Sequence, residues 1–360
     1  MKRQINISTA EFTNFLLDGS ILRKDGRILL FKPLEAGQDV GNKPTVSIAC
    51  YEFFDFKEGL AFKAVEWQNF TPEEFETVLL QYLSQSGVQQ SEIEIQWQPT
   101  NKSGFIDSFR DIKAQMEKGD LKKAVPVVFE SARKHLSPHL LAQILLNSLR
   151  APESLYFYGI WRKGVGAFGT TPEVLFHLRG SVLETMALAG TMPKTQSENR
   201  VSLLEDLKEV DEHSFVVEDI ESILRQWGTV GVQGPQIIEL PHLFHLQTLL
   251  QVNLKNKVDK LELLKHLHPT AALGVFPRNQ LGFLRTSPEQ NNRGLFGGPA
   301  VFEFAQETLA LVMIRSIFWD QHDIRIGSGC GIVPASELER EWFELEQKRA
   351  SVKRIMGLSL

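Results

Sequence analysis

Apolar residues recur along the first part of the chain at two spacings, and each spacing predicts a different element. The short apolar runs ILLF and VSIACYEFF predict strands. The amphipathic stretch TPEEFETVLLQYLSQSG predicts a helix that begins at Thr71 and ends at Gly87. From Phe105 onward, apolar residues every three or four positions predict a second helix, which ends at Gly119.

Strand patterns dominate the rest of the chain and are interrupted by two long helices. LYFYGIWRKG and EVLFHLRGSVLETMAL predict strands with tight turns at 163–164 and 179–180. A long amphipathic helix is predicted over residues 201–227, and the strands VFEFA, TLALVMIRSIF and DIRIGSG precede a final helix. No repeat or Pro/Gly/Ser-rich linker divides the sequence, so we expect one large α+β domain over residues 1–360.

Composition and charge narrow the class of partner. The formal net charge of -5 disfavours nucleic acid and anionic membranes as main partners, so a small-molecule substrate is expected. The two cysteines, Cys50 and Cys330, lie far apart and without metal-ligand spacing, which disfavours a disulfide framework and a zinc site. The start MKRQINISTAEF does not resemble a signal peptide, and no apolar run has the length of a membrane span. We therefore expect a cytoplasmic protein.

The final helix places two glutamates and a lysine on one face. Ser336 followed by Glu339 is the pattern of a capping box, which predicts where this helix begins. At 3.6 residues per turn, Glu341, Glu344 and Lys348 then share one side of the helix. Two glutamates three positions apart repel each other, a cost that is better tolerated if a cation lies between them.

The same spacing of two glutamates recurs in the long helix predicted over residues 201–227. Pairs of this kind are common on exposed helices, and a solvated acidic face explains them without any ligand. Alternatively, carboxylates from two helices could hold a hard divalent cation such as Mg²⁺ through oxygen ligands. The four candidate metal ligands are Glu209, Glu212, Glu341 and Glu344.

The segment GSGCGIVPASELEREWFELEQK, residues 327–348, resembles the GAGIV…EWxET…K ending of the chorismate-utilising enzymes. That family includes isochorismate synthase, salicylate synthase, anthranilate synthase component I and aminodeoxychorismate synthase. The resemblance continues upstream in family order through GDLKKAV, GTTPEVLF, ALAGTMPK, KEVDEH, HLFHLQT, HPTAALGVFPR, RGLFGGPA and VMIRS, so that it spans residues 119–348.

The resemblance implies a fold and a division of the chain. The expected fold class is α+β, with two large antiparallel sheets packed as a sandwich and surrounded by helices, as in anthranilate synthase component I. A single chorismate-binding domain would cover residues 1–360. Residues 1–100 carry no recognisable motif, and residues 105–355 form the motif-bearing catalytic part.

The resemblance also implies two catalytic residues for water attack at C2 of chorismate as the C4 hydroxyl departs. Lys123 in GDLKKAV would be the general base, with Lys122 as the alternative, and burial or nearby charge would have to lower its pKa. Glu173 in TTPEVLF would be the general acid, which must hold a proton at neutral pH. The chain departs from the family pattern in AVPVVFE, where Pro126 interrupts an apolar run.

Further residues are implied as contacts of the substrate. Ala189 stands where aminodeoxychorismate synthases carry a lysine nucleophile and so leaves room for water or ammonia. Arg315, expected within a strand, would bind the pyruvyl carboxylate. Mg²⁺ held by Glu212 and Glu344, with Glu209 and Glu341 supporting, would bind the ring carboxylate. The substrate-binding residues implied are Ala189, Gly190, Thr191, His245, Phe296, Arg315, Gly329 and Lys348.

Two motifs indicate which member of the family the chain resembles. HPTAALGVFPR favours the isochorismate and salicylate synthases, and Phe296 in RGLF, where salicylate synthases often carry tyrosine, favours isochorismate synthase. Gly327 departs from the bulkier apolar residue common at its position. We expect a magnesium-dependent isochorismate synthase of menaquinone or siderophore biosynthesis, a monomer without an amidotransferase subunit. The alternatives are a salicylate synthase, an anthranilate synthase component I or a non-catalytic chorismate-binding homologue.

Overall fold

The computed structural model describes residues 7–35, 37, 41, 44–85, 93–194, 200–240 and 243–359. Short 3-10 helices cover Arg200–Leu204 and Arg278–Thr286. Among the residues described, no helix has the length and apolar character needed to cross a membrane. Eight α-helices lie within these residues: α1 Thr9–Leu17, α2 Pro72–Ser84, α3 Lys102–Glu117, α4 Pro138–Ser148, α5 Leu207–Leu224, α6 Lys260–Leu267, α7 Pro288–Asn291 and α8 Leu338–Met356.

Seventeen strands lie within the described residues, and every strand pairs with its neighbours in antiparallel fashion. The strands are β1 Asp18–Lys24, β2 Arg27–Pro33, β3 Thr45–Tyr51, β4 Glu58–Phe70, β5 Lys123–Ala124, β6 Val127–Arg133, β7 Tyr156–Arg162, β8 Val165–Thr171, β9 Val174–Arg179, β10 Val182–Pro193, β11 Val230–Glu239, β12 Leu243–Asn253, β13 Val275–Phe276, β14 Pro299–Glu303, β15 Glu307–Val312, β16 Ser316–Trp319 and β17 Asp323–Gly329.

Fifteen of these strands form one sheet, and β5 pairs with β13 in a separate small sheet. The order in the large sheet is β11-β12-β10-β9-β15-β14-β3-β4-β2-β1-β7-β8-β16-β17-β6. The expected α+β fold is confirmed, and its two packed sheets are two halves of this one hydrogen-bonded sheet. The N-terminal strands β1 to β4 join the halves, since β3 pairs with β14 and β1 pairs with β7.

A shared core packs the two halves of the sheet against each other. Buried side chains from both halves, such as Ile160 of β7, Phe318 of β16 and Leu311 of β15, belong to one apolar cluster. Helices α1, α2, α4 and α8 contribute to a second cluster, and α5 and α6 contribute to a third. The helices therefore cover the outer faces of the sheet halves, because each amphipathic helix must bury its apolar side against another layer.

The chain crosses between the two halves at two adjacent points. The link from β8 to β9 passes through Pro172 and Glu173, and the link from β15 to β16 passes through Arg315. Backbone hydrogen bonds join each link to a strand beside the other link. The amide of Val312 in β15 donates to the Glu173 carbonyl, and the amide of Thr170 in β8 donates to the Arg315 carbonyl, both at 3.1 Å. Two residues with predicted roles are thus held side by side at the junction.

Two predicted helix boundaries in the first part of the chain can be compared with the structure. Thr71 caps α2 as predicted: its hydroxyl accepts the Glu74 amide, and Glu74 reaches back to the Thr71 amide. The helix ends at Ser84, and Gly87 lies outside the described residues. Helix α3 ends at Glu117, close to Gly119, whose φ of +83° suits a glycine after a helix.

The helix predicted over residues 201–227 is wrong in its first turns. A 3-10 helix covers Arg200–Leu204, and α5 begins only at Leu207. The reason is Asp206, whose side chain accepts the amides of Lys208 and Glu209 and so starts a new helix. Leu207, which fits the apolar spacing of one long helix, is 78% exposed as a result.

The capping box predicted for the final helix is also wrong. Glu337 occupies the N-cap position of α8, where no side chain caps the helix. The Ser336 hydroxyl instead accepts the Val333 amide at 3.0 Å within the preceding turn. The face of α8 is unaffected, because the spacing of its glutamates depends on the helical period and not on the cap.

Candidate active site

A cavity of about 60 Å³ lies at the two crossings between the halves of the sheet. Gly327, Ser328 and Gly331, from β17 and the turn after it, form part of its wall. The lining includes most of the predicted site residues, namely Glu173, Ala189, Thr191, Glu212, His245, Phe296, Arg315, Gly329 and Lys348. The predicted residues outside the lining are Lys123, Gly190, Glu209, Glu341 and Glu344.

Arg315 supplies a buried positive charge to the cavity. The strand predicted through it is wrong, because β15 ends at Val312, β16 begins at Ser316 and Arg315 has a φ of +53°. This conformation is fixed by Ser316, whose hydroxyl donates to the Ile314 carbonyl and bonds the Tyr158 hydroxyl, both at 2.7 Å. Burial lowers the pKa of Arg315 to about 10, with Glu344 opposing the shift, so the side chain stays charged at neutral pH.

His245 and Thr191 continue this wall of the cavity. The Nη2 atom of Arg315 lies 3.4 Å from Nε2 of His245, and Nδ1 of His245 lies 3.0 Å from the Thr191 hydroxyl. Burial and the Arg315 charge lower the pKa of His245 well below its ordinary value, so the imidazole is neutral. Arg315 therefore meets a neutral ring here and not a carboxylate, which leaves its charge available to an anionic ligand.

The four predicted metal ligands come together, but three of them surround a lysine that the sequence did not point to. The Nζ atom of Lys208 lies 3.2 Å from Glu209, 3.1 Å from Glu212 and 3.1 Å from Glu341. Although burial alone would lower it, the surrounding carboxylates raise the pKa of Lys208 well above its ordinary value. The Lys208 cluster is defined as Lys208, Glu209, Glu212, Glu341 and Glu344.

The carboxylates of the Lys208 cluster differ in how well they are paired. Glu209 accepts the Thr191 amide at 2.7 Å and Arg340 at 2.8 Å, and Glu344 lies 2.6 Å from Nζ of Lys348. Neither oxygen of the buried Glu341 accepts a hydrogen bond of good geometry. Burial raises the pKa of Glu341 to about 7, with Lys208 opposing the shift.

The arrangement of these side chains bears on the expected metal. Within the described part of the chain, no three His, Cys, Asp or Glu side chains are placed so as to hold a metal ion. Lys208 instead stands where three of the carboxylates converge. The Mg²⁺ site stays a prediction, and its ligand set is an all-oxygen set of the kind that hard cations prefer.

Lys123 is the buried lysine of its pair, whereas Lys122 is exposed. Nζ of Lys123 donates to the Ala271 carbonyl at 2.6 Å and lies 3.4 Å from Oε1 of Glu212. Burial lowers the pKa of Lys123, and Glu212 opposes this shift. The departure at Pro126 falls between β5 and β6, so it leaves both strands intact. Of the two candidates, Lys123 has the environment that a base requires.

The pKa of Glu173 is shifted in the opposite direction to that of Lys123. It lies in the link between β8 and β9, lines the cavity and is 5% exposed. Burial raises the pKa of Glu173 to about 7, against the opposing charges of Lys123 and Lys348. At neutral pH a large share of this carboxyl therefore carries a proton, which is what a general acid needs.

Three glycines around the cavity allow close approach of other groups. A Cβ atom on Gly331 would lie 1.9 Å from Oε1 of Glu212 and 2.7 Å from Cε of Lys123, so any larger residue there would displace these side chains. Gly190, with a φ of +78°, would bring a Cβ to 2.9 Å from the Glu209 carbonyl. The carbonyl of Gly329 accepts Nζ of Lys348 at 2.8 Å.

The departure from the family at Gly327 has a structural reason. A Cβ atom there would lie 2.5 Å from the ring of Phe296 and 2.9 Å from that of Phe129. The Phe296 ring packs edge-on against Phe129 and lines the cavity. Gly327 thus makes room for Phe296, and the two residues shape this wall together.

Lys208 and Gly331 are the site residues that sequence reasoning missed. Lys208 stands four residues before Glu212, a spacing that predicts an ion pair on one helix. Its contact with Glu341 joins α5 to α8, and no local pattern reveals that contact. Gly331 lies within the GSGCGIV segment, where the sequence alone does not show which glycine approaches Glu212 and Lys123.

The sequence matches the chorismate binding enzyme family over residues 32–354. The chain belongs to the chorismate binding enzymes. Isochorismate synthase MenF of Haemophilus influenzae is 30% identical over 260 residues, which cover 70% of this chain and 60% of the relative. The alignment thus spans less than two thirds of that relative's length.

Two solved structures share the fold of this chorismate binding enzyme. MenF, the menaquinone-specific isochorismate synthase from Escherichia coli, has a TM-score of 0.77 at 20% identity and covers 99% of this chain and 92% of its own. Anthranilate synthase component I from Streptococcus pneumoniae has a TM-score of 0.67 at 15% identity and covers 93% of this chain and 89% of its own. At these identities the likeness shows the fold alone.

Proposed function

We propose that this chorismate binding enzyme is an isochorismate synthase, which converts chorismate to isochorismate. The observation that carries the proposal is the pair of opposite shifts at one site: burial lowers the pKa of Lys123 and raises that of Glu173 to about 7. A neutral amine and a protonated carboxyl are the forms that a base and an acid need at neutral pH. The likeness to isochorismate synthase MenF supports the same reaction.

The reaction exchanges one hydroxyl for another. Lys123 takes a proton from a water molecule, whose oxygen forms a bond to C2, while Glu173 gives its proton to the C4 hydroxyl, which leaves as water. The ring double bonds shift, and atoms and charge balance because one water enters and one departs. Ala189 supports this route, since its small side chain at the cavity wall leaves space for water.

Substrate orientation would come from charge on both sides of the cavity. Arg315 would bind the pyruvyl carboxylate, because its planar fork offers two parallel donors and the neighbouring His245 is neutral. Lys348, whose Nζ lies between Glu344 and the Gly329 carbonyl, adds a second positive charge at the lining. Phe296 closes the apolar side.

Mg²⁺ is proposed as the cofactor, held by Glu212 and Glu344 with Glu341 in support. Glu341 favours this, because its two oxygens accept no hydrogen bond of good geometry, although Nζ of Lys208 lies 3.1 Å from Oε1. When bound, the ion would neutralise the ring carboxylate and draw it toward an otherwise acidic wall. Glu209 would keep its contacts with Thr191 and Arg340 and act as a support for the turn at Gly190.

The test is a product analysis of purified protein with chorismate and Mg²⁺, resolved by chromatography. The expected product is isochorismate alone. Salicylate with pyruvate would show a salicylate synthase, and anthranilate after addition of an ammonium salt would show an anthranilate synthase. Recovery of unchanged chorismate would contradict turnover and leave only binding, which isothermal titration with chorismate measures separately.

A further inference from the structure

The ammonium of Lys208 is the centre of a buried anionic cluster, and the reaction proposed above gives it no role. It comes from the first turn of α5 and is 5% exposed. Its three carboxylate neighbours lie at 3.1 to 3.2 Å, and two of them, Glu209 and Glu212, belong to the same helix. The third, Glu341, belongs to α8, so Lys208 joins the two helices that form the cluster.

Lys208 donates a hydrogen bond of good geometry to Glu212, and its contacts with Glu209 and Glu341 are ion pairs defined by distance. A lysine carries three N–H donors, and three carboxylates surround it. Carboxylates buried this close together are unstable unless a cation compensates them. Lys208 is therefore the cation that Glu209, Glu212 and Glu341 share, while Arg340 and Lys123 each contact one of them.

Lys208 also stands in competition with any second cation at Glu212. That residue lines the cavity and lies between two lysines, with Oε2 at 3.1 Å from Lys208 and Oε1 at 3.4 Å from Lys123. Mg²⁺ binds carboxylate oxygens at about 2.0 to 2.1 Å, so the carboxylates must draw in around it. A divalent ion and an ammonium within a few ångströms repel each other strongly in a buried site.

We propose that Lys208 is a resident cation that holds the metal-binding carboxylates in place and is displaced from Glu212 when a divalent cation binds. This inference rests on the proposed Mg²⁺ site. In it, Lys208 both assembles the carboxylates of that site and limits their affinity for Mg²⁺. Metal binding then exchanges one cation for another at a site that is already formed. The affinity for the ion is lower than four carboxylates alone would give, which permits exchange.

The test compares Mg²⁺ binding by the wild-type protein, Lys208→Met and a matched control, Lys353→Met. Lys353 is also a buried lysine, 2.7 Å from Glu130, but it lies in the separate Glu130 cluster (Glu130, Arg349 and Lys353). Thermal melting is followed at pH 8, above the pKa of about 7 of Glu341, first in EDTA and then with increasing Mg²⁺. Isothermal titration with Mg²⁺ gives the dissociation constant.

The expected result separates the two lysines. In EDTA both variants melt below the wild type, because each loses a buried ion pair. Mg²⁺ raises the melting temperature of Lys208→Met more than that of the wild type, and its dissociation constant falls about tenfold or more because the competing charge is gone. Lys353→Met shows the same Mg²⁺ response as the wild type.

Several results would overturn the proposal. An equal or smaller Mg²⁺ shift in Lys208→Met than in the wild type would show that Lys208 does not compete with the ion. If Lys208→Met fails to fold in EDTA, refolding it with Mg²⁺ supports the proposal and failure to refold overturns it. A Lys208→Arg protein, which keeps the charge, must behave as wild type. If Mg²⁺ leaves the melting temperature of every one of these proteins unchanged, both the role of Lys208 and the proposed Mg²⁺ site are overturned. The product analysis tests the reaction independently.

Discussion

Helix α8 takes part in two buried ionic clusters whose charge balance is opposite. In the Glu130 cluster, one carboxylate meets two cations, Lys353 at 2.7 Å and Arg349 at 3.4 Å. In the Lys208 cluster, three of the four carboxylates lie within 3.2 Å of Lys208, the fourth, Glu344, pairs with Lys348, and Lys123 lies beside Glu212. The first cluster packs between β6 and α8, and the second reaches the cavity through Glu212.

The difference teaches what distinguishes a structural ion cluster from a functional one. Both clusters are largely buried. In the Glu130 cluster the unpartnered atom is a donor, Nε of Arg349, whereas in the Lys208 cluster both oxygens of the acceptor Glu341 lack a good hydrogen bond, and that cluster reaches the cavity through Glu212. A protein tolerates such an imbalance where a ligand completes it, since unpaired buried charge is costly.

The largest effect that separates the two clusters is expected from Lys123→Ala, which removes the lysine next to Glu212. We expect turnover of chorismate to fall roughly 1,000-fold, because a general base contributes about 10²- to 10⁴-fold. Steady-state kinetics measure it, and isothermal titration should show that chorismate still binds. Lys122→Ala is the matched control and should retain wild-type turnover. A comparable loss in Lys122→Ala would show that Lys123 alone is not the base.

Gly331→Ala tests whether the contact between Glu212 and Lys123 must stay tight. The added Cβ would lie 1.9 Å from Oε1 of Glu212, so the carboxylate has to move. We expect kcat to fall about 100-fold, since a displacement near 1 Å is enough for that. Gly282→Ala is the control, because nothing lies within 4 Å of its added Cβ. Full activity in Gly331→Ala would show that the close packing here is not needed.

Glu130→Gln tests the other side of the comparison. It removes the one carboxylate of the Glu130 cluster and leaves Arg349 and Lys353 without their partner. We expect the free energy of unfolding to fall by about 3 kcal/mol, as for other broken buried pairs. Urea denaturation measures this loss. Chorismate turnover and the Mg²⁺ shift should stay as in the wild type, and a change in the Mg²⁺ shift would link the two clusters.

The smallest effect is expected from pH. Because the pKa of Glu173 is raised to about 7, its protonated form is lost as the pH rises through 7, and kcat/KM should fall about tenfold per unit above that point. The same group favours folding below the ordinary pKa of 4.5, and this contribution is lost as the pH rises to about 7. A pH profile of kcat/KM measures the falling limb. Glu130→Gln should keep the limb unchanged, and a wild-type profile that stays flat to pH 9 would contradict the acid role.

Helical and strand periods allowed much of this architecture to be predicted from the sequence. The shared face of Glu341, Glu344 and Lys348 follows from 3.6 residues per turn, and it holds although the predicted cap at Ser336 is wrong. The turn at 163–164 is confirmed, since it lies between β7 and β8. The turn predicted at 179–180 is one residue too early, because β9 ends at Arg179 and β10 begins at Val182. Local pattern therefore sufficed wherever an element's own period decides which side chains share a face.

Contacts between elements distant in sequence could not be predicted in this way. The position of Lys208 among carboxylates depends on how α5 packs near α8, and the break at Arg315 depends on the chain's passage between sheet halves. Asp206 interrupts the predicted long helix near its start, because its side chain accepts the amides of Lys208 and Glu209 and begins α5 there. The apolar spacing across residues 201–227 does not reveal this local cap. The roles proposed for Lys123 and Glu173 rest on family resemblance, and their opposite pKa shifts arise mainly from burial, which the sequence does not show.

The position of β1 to β4 in the large sheet makes the motif-poor start of the chain indispensable to the catalytic part. These strands hydrogen-bond between β14 on one side and β7 on the other. A truncated protein that began at the first family motif would expose the bare edges of β14 and β7, and such edges recruit other chains. The recognisable motifs therefore do not mark out an independently folding fragment.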